Sequence, residues 1–349
     1  MIYIIMLVGV LLGILADKKD RNIYYILIIL VLGLFVGLRA PIVGDDTKTY
    51  YQFFSYTKRG IFSPNIEYGF SAVSYILLKL FNDSKPLFII YSVVTNVFFI
   101  TRLRMFRNKY GFTKLLILYL ILFYPLSCNI MRQCLAISIV FWATKYLEKG
   151  KNVKFAILTL IATSFHLSAI LSLVYIPISL LIYDDNISKR KRSYLIIGTV
   201  LVFPVMFFSI SRALFGRYAH FFYEKNNSLG FMNITRLLLI LAGAVISREI
   251  FKKNDKSNKV SSINENRLVL ISSVIGVMLY FMGYFKTSMM RIGYFFGVFE
   301  MLYIVLVCSY GRGRQIMKLL YGAMVIFLFV ASARGGWSEL AEYSTWIGQ

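Results

Sequence analysis

The sequence predicts an all-α integral membrane protein with about 12 transmembrane helices, and three observations support this fold class. Apolar runs of about 15–20 residues recur along the whole chain, and 58% of its 349 residues are hydrophobic. Short basic clusters separate these runs. No polar segment between them is long enough to fold alone, so we interpret residues 1–349 as a single polytopic membrane domain.

The distribution of the basic residues predicts how the chain is oriented. The formal net charge is +23, and most of the 39 lysines and arginines lie in clusters between apolar runs. Since basic residues concentrate on the cytoplasmic side of membrane proteins, this pattern predicts that both termini are external. It also argues against nucleic acid as a partner, because a basic nucleic-acid-binding face needs a folded domain to present it.

The orientation determines the predicted spans. The first apolar run has no basic segment before it and is followed by charged residues, which favours a span over a cleaved signal peptide. The predicted spans are 1–15, 24–38, 87–101, 115–128, 132–147, 154–165, 167–183, 194–210, 236–250, 268–285, 292–308 and 319–334.

Residues 68–81 form a predicted helix that does not cross the membrane. The segment gives about 21 Å of helix, which is short of the ~30 Å hydrocarbon core. A crossing at this point would also move several later basic clusters to the outside. We therefore predict an external interfacial or re-entrant helix within a large polar insert, residues 39–86. A second external loop is predicted at residues 211–235.

Two apolar runs are too long for one crossing and too short for two. Residues 153–183 would give about 46 Å of helix, yet basic residues flank both ends. We predict that this run turns below the outer surface near His166. Residues 115–146 repeat the pattern, with a turn at 128–133. The two turns predict an outward-facing, partly wet cavity, because polar backbone at that depth must line such a space.

Pairs of glycines four residues apart predict close packing between helices and carry no chemistry. The pairs are Gly9 and Gly13, Gly33 and Gly37, and Gly293 and Gly297.

Three ionisable residues on the predicted external side are the candidate catalytic groups. His166 has the type of side chain whose ordinary pKa, near 6.5, suits a general acid or base; the simpler interpretation is a turn histidine bonded to backbone. Asp46 follows Asp45 in a turn-like sequence and is a base, a ligand of a sugar hydroxyl, or a turn residue. Glu67 precedes the short helix, where the helix dipole alone also favours a carboxylate.

Recessed arginines with few acidic partners predict an anion site of about pyrophosphate size. A guanidinium binds phosphate through two parallel hydrogen bonds, although each arginine also has a simpler interpretation as an interfacial anchor. Aromatic residues of the insert, Tyr50, Tyr51, Phe53 and Phe54, either stack on sugar rings or lie at the lipid interface. The candidate substrate-binding residues are Arg39, Arg132, Arg236, Arg291, Asp45 and Tyr50.

The sequence gives no reason to expect a cofactor. It contains no Walker loop, GxGxxG, HExxH or GxSxG motif, so nucleotide-driven and hydrolase mechanisms lose support. Its three cysteines have no metal-binding or redox spacing, and we predict no metal site.

Four motifs occur in a characteristic order. They are GLRAPIVGDDTKTY at 37–50, EYGF at 67–70, MRQCLA at 131–136 and SFHLSA at 164–169. In this order and spacing they resemble the EpsG-like family of Wzy-type bacterial polysaccharide polymerases. The resemblance covers about the first half of the chain. That family more often has one residue between the glycine and the aspartate, so Asp46 rather than Asp45 is the counterpart.

The resemblance implies a multi-pass glycosyltransferase of the bacterial cytoplasmic membrane that polymerises oligosaccharide repeat units into exopolysaccharide, capsule or O-antigen. Its substrate would be a glycan on undecaprenyl pyrophosphate, and no separate cofactor is implied. Its partners would be the lipid-linked substrates, membrane lipid, and the flippase and chain-length regulator of the pathway. Two alternatives stay open: a flippase or exporter of lipid-linked oligosaccharide, although the internal repeats usual in transporters are absent, and an O-antigen-ligase-like transferase.

Overall fold

The chain is helical throughout the part that the structure describes. This computed structural model describes residues 2–44, 46–64, 66–183, 194, 198, 230–251, 260–283, 287–311, 313–331 and 343–346. Within these ranges it contains no strand, and a single isolated bridge pairs Arg39 with Thr345. The all-α prediction is confirmed.

The helices form two compact units. The first unit comprises Met1–Ala143, Ile157–Ile170 and Ala323–Gln349, and the second comprises Thr144–Ala156 and Leu171–Gly322. The interpretation of the whole chain as one polytopic domain stays a prediction.

The first half of the chain contains helices of different lengths, from 4 residues in Arg107–Tyr110 to 21 residues in Lys85–Met105. The long and short α-helices are Ile2–Lys19, Asn22–Gly37, Thr47–Lys58, Tyr68–Phe81, Lys85–Met105, Arg107–Tyr110, Phe112–Leu122, Met131–Leu147 and Asn152–Phe165. A 3-10 helix, Tyr124–Cys128, precedes Met131–Leu147.

The remaining helices include breaks and 3-10 segments. A 3-10 helix, Leu167–Val174, leads into Tyr175–Tyr183, and another, Arg248–Phe251, follows Gly230–Ile246. The predicted external loop 211–235 lies outside the described residues up to 229, and its last residues begin the helix Gly230–Ile246. The later α-helices are Val260–Met282, Thr287–Gly297, Glu300–Ser309 and Arg314–Ala331.

Some of these helices have the length and composition of membrane spans. Among the described residues, Lys85–Met105 and Ile263–Met282 are long and apolar enough to cross a bilayer by themselves. The helices Met289–Gly297 and Glu300–Ser309 meet the same test as a pair bent by 46°, which is the geometry of a broken span or a re-entrant loop. Several shorter apolar helices accompany them. These helices are compatible with a membrane protein, whereas the twelve spans and the external termini stay predictions.

The predicted helix at 68–81 is confirmed residue for residue. It spans Tyr68–Phe81, and we call it the short helix. The predicted interruption at His166 is also present, because one helix ends at Phe165 and the next begins at Leu167. The same is true of residues 129 and 130, which separate Tyr124–Cys128 from Met131–Leu147.

The helix Asn22–Gly37 packs closely along Lys85–Met105, as its glycine pair predicts. A Cβ atom added at Gly37 would lie 2.5 Å from the Cα atom of Ile89, and one added at Gly33 would lie 2.8 Å from the Cα atom of Val93. Real side chains do not approach backbone so closely, so only glycine permits this contact. The packing role of this pair is confirmed.

The polar insert contains a helix that the sequence analysis does not predict. This insert helix, Thr47–Lys58, buries Tyr50, Phe53 and Phe54 on one face, at the spacing typical of an amphipathic helix. Their rings pack in an aromatic cluster, with Phe53 5.5 Å from Phe70 and Phe54 5.3 Å from Phe88 between centroids. Phe53 and Phe54 therefore belong to the core of the first unit, and the expectation that they stack on sugars or lie at the lipid interface is wrong.

Candidate active site

A glycine turn joins the insert to a second turn of the first unit. Gly44 has φ +87°, and an added Cβ atom would lie 2.3 Å from the carbonyl oxygen of Cys128. Glycine adopts this backbone conformation without strain. The backbone N–H of Asp46 donates to Oδ1 of Asn129 at 2.9 Å. The turn that carries Asp46 is thereby held against the turn that precedes Arg132.

The short helix approaches the chain break at His166 through a second glycine. A Cβ atom added at Gly69 would lie 2.3 Å from Oγ and 2.7 Å from the carbonyl oxygen of Ser164. Since part of this clash is with backbone, rotation of a side chain does not relieve it. Gly69 therefore lets Glu67, which precedes the short helix, reach the break that follows Ser164.

Glu67 connects three elements of the first unit. Its Oε1 atom accepts a 2.9 Å hydrogen bond from the backbone N–H of Leu167 and lies 3.4 Å from Nδ1 of His166. Its Oε2 atom accepts a hydrogen bond from Nη1 of Arg132. The side chains of Glu67, His166 and Arg132 are 9%, 16% and 18% exposed. The three therefore form a mostly buried cluster that keeps some contact with its surroundings.

The carboxylate of Glu67 is ionised over a wide pH range. Glu67 lies in the insert, outside the predicted spans. Burial by itself raises the pKa of this carboxyl group, but the proximity of His166 and the attraction of Arg132 outweigh that effect and lower the pKa to about 2. With Glu67 negative and Arg132 positive, the protonation of His166 decides whether these three side chains carry a net charge of zero or plus one.

Tyr50 lies between the cluster and the turn that carries Asp46. The backbone N–H of Arg132 donates to its phenolic oxygen at 3.4 Å, and Cζ of Arg132 lies 5.9 Å from the centre of its ring. Burial raises the pKa of Tyr50, so its hydroxyl group is protonated at neutral pH. The backbone N–H of Tyr50 donates to the carbonyl oxygen of Asp46 at 3.0 Å, so Asp46, which precedes the insert helix, lies one helical turn from Tyr50.

Arg39 occupies a different environment, inside the first unit. Its side chain is fully buried, and burial lowers its pKa. Its Nη1 atom donates to the carbonyl oxygen of Val36 at 2.6 Å, and its Nε atom donates to Oγ1 of Thr47 at 3.1 Å. Nη2 contacts the sulfur of Met131 at 3.9 Å, and Cζ lies 4.9 Å from the ring centre of Phe88. All three nitrogens of the guanidinium group therefore contact protein.

Arg236 and Arg291 belong to the second unit. Nε of Arg236 donates to Oε1 of Glu300 at 3.0 Å, Nη2 also bonds Oε2, and Cζ lies 4.6 Å from the ring centre of Tyr280. Glu300 is fully buried and begins the second helix of the bent pair. Arg291 is partly buried on the helix Thr287–Gly297. The structure thus brings Arg236 together with an acid that the sequence analysis does not assign to it.

The structure brings most of the candidate residues of the first half together and adds others. His166 contacts Glu67, Glu67 contacts Arg132, and Arg132 contacts Tyr50. Asp46 lies one helical turn from Tyr50. Asp45 lies outside the described residues. Asn129 accepts a hydrogen bond from Asp46, and Thr47 accepts one from Arg39. Neither is among the site residues predicted from the sequence. The polar Asn129 in the predicted turn at 128–133 was the available signal for the first, and the place of Thr47 in the motif at 37–50 was the signal for the second.

In the described ranges no three His, Cys, Asp or Glu side chains lie close enough together to hold a metal ion. No curated protein and no solved structure matches the chain.

A family comparison extends the resemblance well beyond the motifs. The pattern of the EpsG family matches residues 22–346, whereas the four motifs cover only the first half of the chain. The match therefore includes the second unit and the residues 343–346. This family is associated with Wzy-like, glycosyltransferase-type polymerisation of exopolysaccharide in membranes. The chain belongs to the EpsG family.

Proposed function

We propose that the protein polymerises oligosaccharide repeat units carried on undecaprenyl pyrophosphate, at the outer face of the bacterial cytoplasmic membrane. The observation that carries this proposal is the carboxylate of Glu67, which joins His166 to Arg132. Transfer of a glycan from a lipid pyrophosphate needs a group that accepts a proton from the attacking hydroxyl and a cation that stabilises the leaving group. The cluster contains one residue of each kind.

His166 is the proton acceptor in this mechanism. Nδ1 of His166 lies 3.4 Å from the carboxylate of Glu67, and a carboxylate at this nitrogen favours the imidazole tautomer with hydrogen on Nδ1 and a lone pair on Nε2. A hydroxyl group of the incoming repeat unit attacks the anomeric carbon of the growing glycan, and its proton passes to Nε2. Both oxygens of Glu67 are engaged by its neighbours, so we assign Glu67 a positioning role rather than that of the base.

Arg132 stabilises the leaving group. As the new glycosidic bond forms, the bond between the anomeric carbon and the pyrophosphate oxygen breaks, and its electron pair stays with undecaprenyl pyrophosphate. Protonation of His166 raises the net charge of His166, Glu67 and Arg132 from zero to plus one at the same time, which favours the developing anion. The donor is already activated, so the proposal needs neither a nucleotide nor a metal ion.

Three of the other candidate residues, Asp46, Tyr50 and Arg39, have supporting roles in the proposal. Asp46 orients a sugar hydroxyl from the turn beside Asn129, and Tyr50 packs against Arg132. Arg39 acts through packing, because it is fully buried. Two nitrogens of Arg236 bond the fully buried carboxylate of Glu300 in the second unit, so we do not assign Arg236 to the pyrophosphate. Asp45 and Arg291 stay predictions from the sequence.

The proposed partners follow from the substrate. The protein would take lipid-linked repeat units from the flippase of the same pathway and act with its chain-length regulator, within membrane lipid. These partners are proposed from the chemistry of the substrate alone.

Reconstitution of the purified protein with its lipid-linked repeat unit tests the proposal. We expect a ladder of glycan lengths without added metal or nucleotide. His166→Asn, Arg132→Ala and Asp46→Asn should shorten or abolish the ladder. Arg104→Ala is the matched control, because Arg104 forms an exposed ion pair with Asp20 in the same unit, and such pairs contribute little.

Two results would overturn the proposal. Full-length polymer from all three variants at normal protein levels would show that the site is wrongly assigned. Accumulation of single repeat units on the inner leaflet after loss of the gene would identify a flippase, whereas accumulation on the outer leaflet is the result we expect.

A further inference from the structure

Residues 343–346 pack against the backbone on both sides of Arg39. The backbone N–H of Ala40 donates to the carbonyl oxygen of Ser344 at 2.9 Å, and the backbone N–H of Trp346 donates to that of Leu38 at 3.2 Å. These two bonds make up the isolated bridge between Arg39 and Thr345. A segment from the far end of the chain is thus paired with the first motif of the insert.

The side chains of this segment strengthen the contact. The ring of Tyr343 stacks on that of Phe35, with centroids 4.0 Å apart, and its hydroxyl group donates to the carbonyl oxygen of Phe35. Nε1 of Trp346 donates to the carbonyl oxygen of Gly37 at 3.3 Å. Nζ of Lys85 lies 4.8 Å from the indole ring of Trp346.

Together these bonds complete the end of the helix Asn22–Gly37. The last carbonyl groups of a helix have no partner within the helix. Here the carbonyl group of Val36 accepts from Arg39, and those of Phe35, Gly37 and Leu38 accept from Tyr343 and Trp346. Residues 343–346 therefore hold the backbone at the end of this helix and on both sides of Arg39.

Arg39 in turn contacts the segments that carry two of the proposed site residues. Its Nη2 atom contacts Met131, the residue before Arg132, and its Nε atom bonds Thr47, the residue after Asp46. The guanidinium group is fully buried and planar, so a displacement of its backbone would move both neighbours.

We propose that residues 343–346 act as a clamp that holds residues 38–44, which we call the Arg39 loop. Through Arg39, the clamp positions Arg132 and Asp46 for the reaction. The part concerning Arg132 and Asp46 rests on the proposed polymerase function. Tyr343 and Trp346 are positioning residues, since they act on the site through Arg39 and do not touch it.

Accessibility of a native cysteine tests the clamp without any assay of activity. Cys128 is 1% exposed, and its carbonyl oxygen lies against Gly44 and Oγ1 of Thr47, beneath the turn that the clamp holds. The measurement is the rate at which a water-soluble maleimide labels Cys128 in a background with Cys134→Ala and Cys308→Ala. We expect the double variant Tyr343→Ala/Trp346→Ala to be labelled at least about tenfold faster. Without the side-chain hydrogen bonds of Tyr343 and Trp346, the local opening that exposes Cys128 costs less free energy.

Polymerisation kinetics test the link to the site. In the reconstituted system the double variant should lower kcat by about 10- to 100-fold with a much smaller change in the KM of the lipid-linked donor. Tyr343→Phe keeps the stacking on Phe35 and should retain most of the activity. Tyr56→Ala removes an exposed tyrosine of the insert helix and should alter neither measurement.

Each other outcome overturns a defined part of the proposal. Unchanged labelling of Cys128 in the double variant would show that residues 343–346 do not hold the loop. Faster labelling with wild-type kcat would show that the loop does not position the site. Faster labelling together with a wild-type protein that elongates nothing would reject the polymerase function, and with it the positioning role.

Discussion

Nδ1 of His166 lies 3.4 Å from Oε1 of Glu67. His166 separates two helices, whereas Glu67 precedes the short helix, far earlier in the chain. The same carboxylate also bonds Arg132 at the start of a third helix. One acid therefore determines the relative positions of His166, the proposed base, and Arg132, the proposed cation.

Replacement of Glu67 by glutamine tests its positioning role. Glu67→Gln keeps the shape of the side chain but removes the charge that faces His166 and Arg132. We expect kcat to fall by about 10²-fold or more, as when a catalytic histidine loses its orienting carboxylate. The acid limb of the rate profile should also move to lower pH, since the protonated imidazole loses its counter-charge. Initial rates measured between pH 5 and pH 9 would check both.

Glu67 also predicts a window of acid sensitivity. Its pKa is lowered from 4.5 to about 2 in the folded protein, so its contribution to stability is complete above pH 4.5 and is lost as the pH falls towards 2. The shift corresponds to about 3 kcal/mol. Thermal unfolding in detergent should show that wild type loses more stability than Glu67→Gln over this range. Equal losses would contradict the assignment.

Substitution of Gly69 tests the approach of the short helix to the break at His166. In Gly69→Ala the new methyl group would meet the backbone of Ser164, so the short helix must move away and carry Glu67 with it. We expect a loss of about 1–3 kcal/mol in stability and about 10²-fold in kcat. Gly322→Ala is the matched control, because nothing lies within 4 Å of its added Cβ atom. Similar rates for both variants would contradict the geometry.

Replacement of Arg39 separates packing from pyrophosphate binding. Arg39→Met fills a similar volume but leaves the carbonyl group of Val36 without its donor, so we expect a stability loss of about 1–3 kcal/mol. The folded fraction should show a lower kcat and little change in donor KM. A large rise in donor KM at normal stability would instead support the anion site predicted from the sequence. Arg104→Met controls for the loss of an arginine that is more exposed.

A double-mutant cycle decides the role of Arg236. Arg236→Met or Glu300→Leu alone leaves one buried charge without its partner and should cost about 3–5 kcal/mol. The double variant Arg236→Met/Glu300→Leu should recover most of this stability and retain polymerisation. Thermal unfolding and the length of the glycan ladder give the two readouts. A stable but inactive double variant would instead support the prediction that Arg236 binds the pyrophosphate.

The sequence by itself determined the local structure of the chain. The length of the apolar segments predicted helices, among them the short helix Tyr68–Phe81. The length of the run 153–183, with basic residues at both ends, predicted the break at His166. The spacing of Gly33 and Gly37 predicted a close helix contact. These features depend on residues within a few turns of one another, so the backbone and hydropathy patterns of a single segment are sufficient to predict them.

Only the tertiary structure decided which side chain meets which. Nothing local distinguishes the buried Arg39 from Arg132, or shows that Glu300 neutralises Arg236. The start of the short helix favours a carboxylate at position 67, but it does not predict the contacts of Glu67 with His166 and Arg132. Burial and charge pairing depend on segments distant in sequence, and the cost of burying an unpaired charge is what selects those partners. The contact of residues 343–346 with the Arg39 loop is of the same kind, because it pairs Arg39 with Thr345, which is distant in sequence.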